Sequence, residues 1–278
     1  GLIGKAITDL CHEKGISVNY LTTDKSKIKN ENNYQGFYWE PEKNELDANC
    51  FEGVKAIINL AGASIARKWT KAYKEKILTS RVDSLRTLHT AIKNLNPKER
   101  ISFISASAIG IYPNSFTDFY TEKETNVDAS FLGDVSEIWE REIDRFQELN
   151  CTVAKIRIGL VLSSEGGALP NIANPVRRYL GASFGSGEQW QSWIHVNDIA
   201  RMFVFAMENN LSGVYNGVAP NPVTNKKMVT ELAKVLNKPL FLPNIPKFAM
   251  RLILGEMSYL LFVSQRVSSK KIEKKGFN

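Results

Sequence analysis

The run Ala56-Ile57-Ile58-Asn59-Leu60-Ala61-Gly62 constrains this chain more than any other stretch. A continuously apolar run passes straight into Asn, Leu, Ala and Gly. A strand without polar alternation is covered on both faces, as in a parallel sheet flanked by helices. Small residues at its carboxyl end let a bulky ligand lie against the backbone. The same pattern returns at Ile101 to Ala108 and at Val153 to Gly159. Three such strand ends in this order predict an α/β sheet that takes a nucleotide along its carboxyl edge.

The chain opens on Gly1-Leu2-Ile3-Gly4 and runs into an amphipathic helix reaching about Lys14. This reads as the back half of Gly-x-x-Gly-x-x-Gly, a variant of the dinucleotide fingerprint. Gly1 would let the backbone approach a pyrophosphate, Gly4 would permit close helix-to-strand packing, and the helix N-terminus would present amides to the phosphates. On this reading the first strand and first glycine lie upstream of residue 1, and the sequence is clipped there and again near Asn278.

Ile16 to Leu21 predicts a strand whose tip carries Thr22, Thr23 and Lys25, a set suited to a 2′-phosphate, with Asp24 counting against it. Gly36 to Trp39 predicts a short strand. Lys71 to Leu95 predicts a long helix or a broken pair, and Ser130 to Leu149 a further helix with Phe131, Val135, Ile138, Trp139 and Ile143 on its apolar side. Trp190 to Val196 reads as a strand, Asp198 to Glu208 and Thr224 to Leu236 as helices, and a strand falls near Val214. The pattern implies a doubly wound parallel sheet over 1–160, with 190–220 contributing, and a small mixed substrate lobe over 161–278.

With 278 residues, 43% of them hydrophobic and 23% charged, the chain has room for a large α/β domain and an appendage. The net charge of +7 raises nucleic acid as a partner, but its placement argues otherwise. From Gln265 to Asn278, five basic side chains face one acidic one, so more than half of the excess reads as a solvated tail. The remainder suits an anionic cofactor or substrate. No secretory signal is visible. Phe248 to Val263 is greasy, yet Arg251 and Glu256 interrupt it, which predicts a buried or interface helix in place of a membrane anchor. Cys11, Cys50 and Cys151 are odd in number and widely spaced, which suits a reducing, cytoplasmic setting. The three histidines fall in unrelated segments, so no metal site is predicted. Gly181-Ala182-Ser183-Phe184-Gly185 matches a hydrolase nucleophile elbow literally. It feeds a strand, however, and Asp198 follows His195 where a hydrolase has its acid first, so a hydrolase is set aside.

Asn59 to Gly62, Ser105 to Gly110, Arg157-Ile158-Gly159 and Trp193-Ile194-His195-Val196 with Asp198 together resemble an extended short-chain dehydrogenase/reductase. More narrowly, Asn59 to Thr70, Ser80-Arg81-Val82, Trp139-Glu140 and Gly166 to Leu169 resemble the atypical NAD(P)-binding epimerase-family proteins. Leu240 to Phe277 is similar to that group's short C-terminal domain of unknown function. The resemblance implies a Rossmann fold, a nicotinamide dinucleotide as cofactor, which the strand-tip residues favour as NADP over NAD, and oxidoreduction or epimerisation of a small polar substrate, with a nucleotide sugar as one class. It also implies that the two long helices resemble those the family uses for dimerisation, leaving a homodimer and a monomer both open.

By the same resemblance, cofactor contacts fall to Gly1, Leu2, Ile3, Gly4, Thr22, Thr23, Lys25, Leu60, Ala61, Gly62, Ser105, Ala106, Arg157, Ile158, Gly159 and Val161, with Gly159 leaving room for the nicotinamide ring. Arg67, Lys68 and Trp69 fall near the substrate, and His195 matches a position that is structural or touches substrate. Ser107 matches the catalytic serine that hydrogen-bonds the reacting oxygen. The usual Tyr-x-x-x-Lys pair is absent, because no tyrosine here has lysine four positions later. Its expected stations fall at Leu132 and Ser136, which cannot move a proton. Tyr112, Glu140 and Glu122 are the replacement candidates, with Tyr112 taken as the catalytic partner of Ser107 and Glu140 read chiefly as a structural helix residue. Without the pair, a non-catalytic NADP(H)-binding sensor stands as the rival to an enzyme.

Overall fold

The structure, a computed structural model, describes residues 1–278. Four parallel strands form the central sheet in the order Gly213–Gly217, Cys151–Ile158, Ile101–Ala108, Ala56–Asn59. Val18–Thr22 and Tyr34–Glu40 pair in parallel as a second group. One apolar cluster runs through both, from Ile7 and Cys11 through Trp39 and Phe51 to Phe103, Ile104 and Ile156. Both groups share that core, in keeping with the doubly wound parallel sheet read from the sequence. Phe103, Ile104 and Ile156 are fully buried, each contributing about 1.5–3 kcal/mol.

The longer helices are α1 (Leu2–Glu13), α2 (Lys71–Leu95), α3 (Phe131–Asp144), α4 (Ala168–Arg177), α5 (Val196–Glu208), α6 (Asn225–Val235) and α7 (Lys247–Leu254). α2 is one continuous helix. The Thr70 hydroxyl accepts from the Tyr73 amide at its start, and Asn96 in the left-handed region stops it before Pro97. α3 gives way to a 3-10 turn at Arg145–Glu148, from which Phe146 enters the core and stacks on Phe103 at 3.9 Å. α3 covers the sheet face bearing Phe103, Lys155 and Arg157. The other face carries Ile156, which with Ile199 of α5 closes around Gly217.

The C-terminal segment departs from the sequence reading. From Gln265 onward it is no solvated tail. Arg266–Val267 pairs in parallel with Phe119–Tyr120, and Gln265, Val267, Ser268 and Ile272 are buried. Its packing is carried largely by Ser and Gln hydrogen bonds, which a charge count cannot register. Phe248 to Val263 is also not one buried helix. α7 ends at Leu254, where Gly255 takes a φ of 61°, and Phe248, Leu252 and Ile253 are 69%, 83% and 69% exposed. The predicted strand at Trp190 to Val196 is split at Ser192, whose hydroxyl instead donates to the Gln265 carbonyl. No helix is long and apolar enough to cross a membrane.

Candidate functional site

At the carboxyl edge of the central sheet Leu60 and Ala61 are half-buried and Gly62 is exposed. The first turn of α1 packs on this segment, where a Cβ added at Gly4 would stand 3.7 Å from Leu60 Cδ1. Within residues 1–278 no side chain caps α1, and the amides of Leu2, Ile3 and Gly4 have no partner among these residues. The Gly166–Gly167 turn closes over the same end. Gly167, at φ 72°, lies with its Cβ position 3.3 Å from the Leu2 side chain, and Lys5 pairs with Glu165 at 3.1 Å. Uncapped amides beside small strand-end residues suit a bound anion.

Behind this edge lies a buried ionic network. Ser107 and Arg157 stand in register on adjacent strands, and Lys155 shares their face because strand side chains repeat every two residues. α3 supplies Glu140 and Asp144, one helical turn apart. Arg157 Nε and Nη2 donate to Glu140 Oε1 and Oε2 at 2.7 and 2.9 Å, and Ser107 Oγ donates to Glu140 Oε1 at 2.7 Å. Lys155 Nζ reaches Asp144 at 2.8 Å and Glu140 at 3.4 Å. Burial pushes the Glu140 carboxyl up, but the bonds and charge of Arg157, with Lys155 and Ser107, outweigh it and hold it below the ordinary carboxylate range.

Tyr112 closes the network from the far side. Its hydroxyl accepts from Arg157 Nη1 at 2.9 Å and donates to Asn216 Oδ1 at 2.7 Å. The side chain is fully buried, which drives its pKa up. Gln265 Nε2 donates to the Tyr112 carbonyl, and Asn216 Nδ2 to the Ser268 carbonyl at 3.0 Å, tying the C-terminal segment to the site. The phenol is thus enclosed, with both hydrogen-bonding directions in use, unlike the open setting expected of a proton-transferring group. Glu122 Oε1 accepts from the Asn216 amide at 2.9 Å.

Leu132 and Ser136, the stations without their Tyr and Lys, lie 3.6 and 3.8 Å from the Cβ position of Gly110 in the serine loop. Glu140 is the next residue on that stripe of α3 and the first on it that ionises. Sequence reasoning missed its pairing with Arg157. The available signal was Lys155-x-Arg157 on a strand answered by Glu140-x-x-x-Asp144 on a helix.

Ser105 and Ala106 are buried. Ser105 Oγ accepts from Asn59 Nδ2 at 3.0 Å, which joins two strand ends. Arg157 is committed to Glu140 and Tyr112. Ile158 and Val161 are half-buried. The space that Gly159 leaves by lacking a side chain is taken up by the chain itself: a Cβ there would stand 2.3 Å from the Ser192 carbonyl oxygen and 2.8 Å from Val218 Cγ1. The glycine serves chain-to-chain approach, with the Leu160 amide donating to that carbonyl at 2.8 Å. Thr22 Oγ1 accepts from the Asp24 amide at 3.1 Å and Thr23 is exposed. Asp24 is turned onto Ser26 and Lys27, while Lys25 lies over the Tyr38 ring at 4.6 Å without a carboxylate partner. His195 caps α5, its Nδ1 accepting from the Asn197 amide. Arg67 and Lys68 are exposed and unpaired, and Trp69 is buried, donating to the Ile65 carbonyl.

The comparisons agree with this architecture. Residues 1–131 match the NAD dependent epimerase/dehydratase family, and residues 245–278 match a domain of unknown function (DUF1731). An epimerase family protein of Staphylococcus aureus is 34% identical over 278 residues, spanning 100% of this chain and 91% of the relative. Among solved structures, human epimerase family protein SDR39U1 with NADPH matches with a TM-score of 0.84 at 25% identity, covering 100% of this chain and 91% of that one. The Thermus thermophilus UDP-glucose 4-epimerase complex with NAD has the same fold, with a TM-score of 0.75, 16% identity, and 99% and 90% coverage.

Proposed function

This chain belongs to the NAD-dependent epimerase/dehydratase family, and we propose on that premise that it binds NADP(H) at the carboxyl edge of its sheet and acts on a small polar substrate. Residues 1–160, with 190–220, hold the cofactor in this reading, and 161–278 form the substrate lobe. The observation that carries it is the conjunction of uncapped α1 amides, the small residues Ala61 and Gly62 and the Ser107–Glu140–Arg157 network behind them. The free amides suit the pyrophosphate, and Lys25, lacking a carboxylate partner, suits a 2′-phosphate over the free hydroxyl of NAD. A nucleotide sugar is the substrate class favoured.

Bound nicotinamide would accept or return a hydride. The chain's own residues orient and hold the proton-bearing groups. Ser107 is buried, 2% exposed, but unlike Tyr112 it keeps free oxygen lone pairs once its hydroxyl proton is donated to Glu140, so in this reading it is the residue assigned to the reacting oxygen. Glu140 fixes the Ser107 rotamer, and Arg157 and Tyr112 fix Glu140. A carboxylate held ionised by two cations is a weak base, so turnover is expected to be slow beside that of a tyrosine-using relative. That weakness also favours the second reading, an NADP(H)-binding sensor without chemistry. Ser107→Ala separates the two: the enzyme reading expects oxidation of a UDP-sugar hydroxyl by NADP+, read as NADPH formed or as epimer released across a panel of UDP-sugars, to fall at least about 100-fold with cofactor affinity unchanged. Absence of turnover in the wild type alongside tight NADPH binding supports the sensor.

A further inference from the structure

The large apolar side chains left in water are gathered on one lobe. Nine of the twelve lie between Tyr179 and Ile253, where they make up a ledge and a helix. The ledge is the chain at 240–242, with Tyr179 and Leu180 beside it. Lys238 Nζ donates to Tyr179 Oη at 2.8 Å, and Leu240 Cδ2 stands 2.8 Å from the Cβ position of Gly181. The chain is then pinned before it enters α7, because Asn244 Nδ2 donates to the Gly185 carbonyl at 3.0 Å and the Ile245 amide to the Ser183 carbonyl at 2.8 Å. No residue of α7 is buried. Phe241 on the ledge is 65% exposed and Leu252 on the helix 83%.

Aromatic side chains bury about 150–250 Å² each when covered, and Leu and Ile somewhat less. At these exposures the ledge and α7 offer on the order of 800 Å². That exceeds the largest apolar patch usual on a monomer, roughly 300–600 Å², and matches the area one partner buries in a stable complex, about 800 Å². The two long helices offer nothing comparable. Their outward positions carry Arg86, Asp134, Glu137 and Arg141, with Arg86 on Glu142 at 3.0 Å and Arg141 on Glu137 at 3.9 Å. Leu95, at the end of α2, is their one exposed large apolar residue. Charged residues are depleted from the centres of interfaces, so α2 and α3 are poor candidates for one.

We propose that the face formed by 240–242 and α7 is an interface between two copies of this chain, closed about a two-fold axis. Such a contact sets a patch against itself, so the patch must hold both signs of charge. Lys247 and Arg251 on α7 stand with Glu256 just past its end, which remains 63% exposed beside Lys74. An anionic lipid surface selects cations alone. Gly255 then carries the chain to Met257, Tyr259 and Leu260, which pack against Trp69 and Leu132, and Leu132 meets the serine loop at Gly110. A copy seated on α7 thus abuts the segment that covers the flank of that loop.

Sedimentation velocity of the ligand-free protein over a range of concentrations tests this. The wild type is expected to be a dimer at about 50 μM. Leu252→Glu and Phe241→Glu each bring a charge into the contact twice per dimer and should raise its dissociation constant at least about 30-fold. Arg141→Glu, on the outward face of α3, should leave it within about threefold. Both patch residues are exposed in the single chain, so each variant should keep the wild-type circular dichroism. If Leu252→Glu does not fold, Phe241→Glu gives the same reading from the other half of the patch. A wild type that stays monomeric to about 200 μM overturns the inference, as does a dimer that survives both substitutions. A dimer that only Arg141→Glu dissolves assigns the contact to the long helices and overturns it too. A monomer that co-sediments with phosphatidylserine vesicles, and ceases to do so as Leu252→Glu, gives this face to a lipid surface in place of a second copy.

Discussion

Removing the Glu140 carboxylate should destabilise the protein more than any other single-side-chain truncation around the site. The side chains of Arg157 and Glu140 are each 8% exposed and meet through two charged hydrogen bonds of 2.7 and 2.9 Å. In Glu140→Ala, Arg157 keeps only its bond to Tyr112, and Ser107 loses its acceptor. Breaking a shielded pair from one side costs about 3–5 kcal/mol, because the remaining charge is left in a poorly solvating interior. Arg157→Met should cost less, since Glu140 retains Lys155 at 3.4 Å and Ser107. The double change Glu140→Met with Arg157→Met should cost less than the two single changes summed, because no charge of that pair is then stranded. Urea unfolding followed by tryptophan fluorescence measures all three, with Trp139 beside the substituted residue. In a thermal melt the Glu140→Ala loss corresponds to a drop of about 6–20 °C. A Glu140→Ala protein within about 1 kcal/mol of wild type, or a double change that costs the full sum, would refute the buried-pair reasoning.

The same pair sets a pH dependence whose sign follows from the depressed Glu140 carboxyl. The stabilisation is fully present above the ordinary value of 4.5 and is lost as pH falls toward the lower folded-state value. The stability gap between wild type and Glu140→Gln should therefore hold from neutrality down to that region and narrow below it; a gap that widens on acidification contradicts the assignment. Two glycines should separate cleanly in ligand-free melts. Gly159→Ala forces a Cβ to 2.3 Å from the Ser192 carbonyl and should cost at least about 1–3 kcal/mol. Gly4→Ala, with ordinary contact at 3.7 Å inside a helix, should be neutral or stabilising by about 0.5–1 kcal/mol. Equal effects at the two positions would mean that the close approach at Gly159 is wrongly drawn.

What could be read from the sequence was what is local. Apolar runs ending in small residues located the three strands that build the site edge. The span of α2 was legible from Lys71 to Leu95, though not whether it was one helix or two, and the position of Ser107 followed from its place at a strand end. The pairings that matter most are not local. Glu140 finds Arg157 only when α3 crosses the sheet, so a residue ordinary for an amphipathic helix becomes the anchor of the network. Gly159 answers to Ser192, a chain neighbour in space alone, and so its absent side chain was ascribed to a ligand. The C-terminal segment packs through Gln265 and Ser268, polar residues that give no hydrophobic periodicity.

The most direct measurement is titration calorimetry of the protein with NADPH and NADH. Uncapped amides at α1, the small residues Ala61 and Gly62 and a carboxylate-free Lys25 predict one saturable binding event per chain for NADPH and a weaker one for NADH. Absence of binding heat with both coenzymes, confirmed by an unshifted melting temperature, would contradict a nucleotide at this edge.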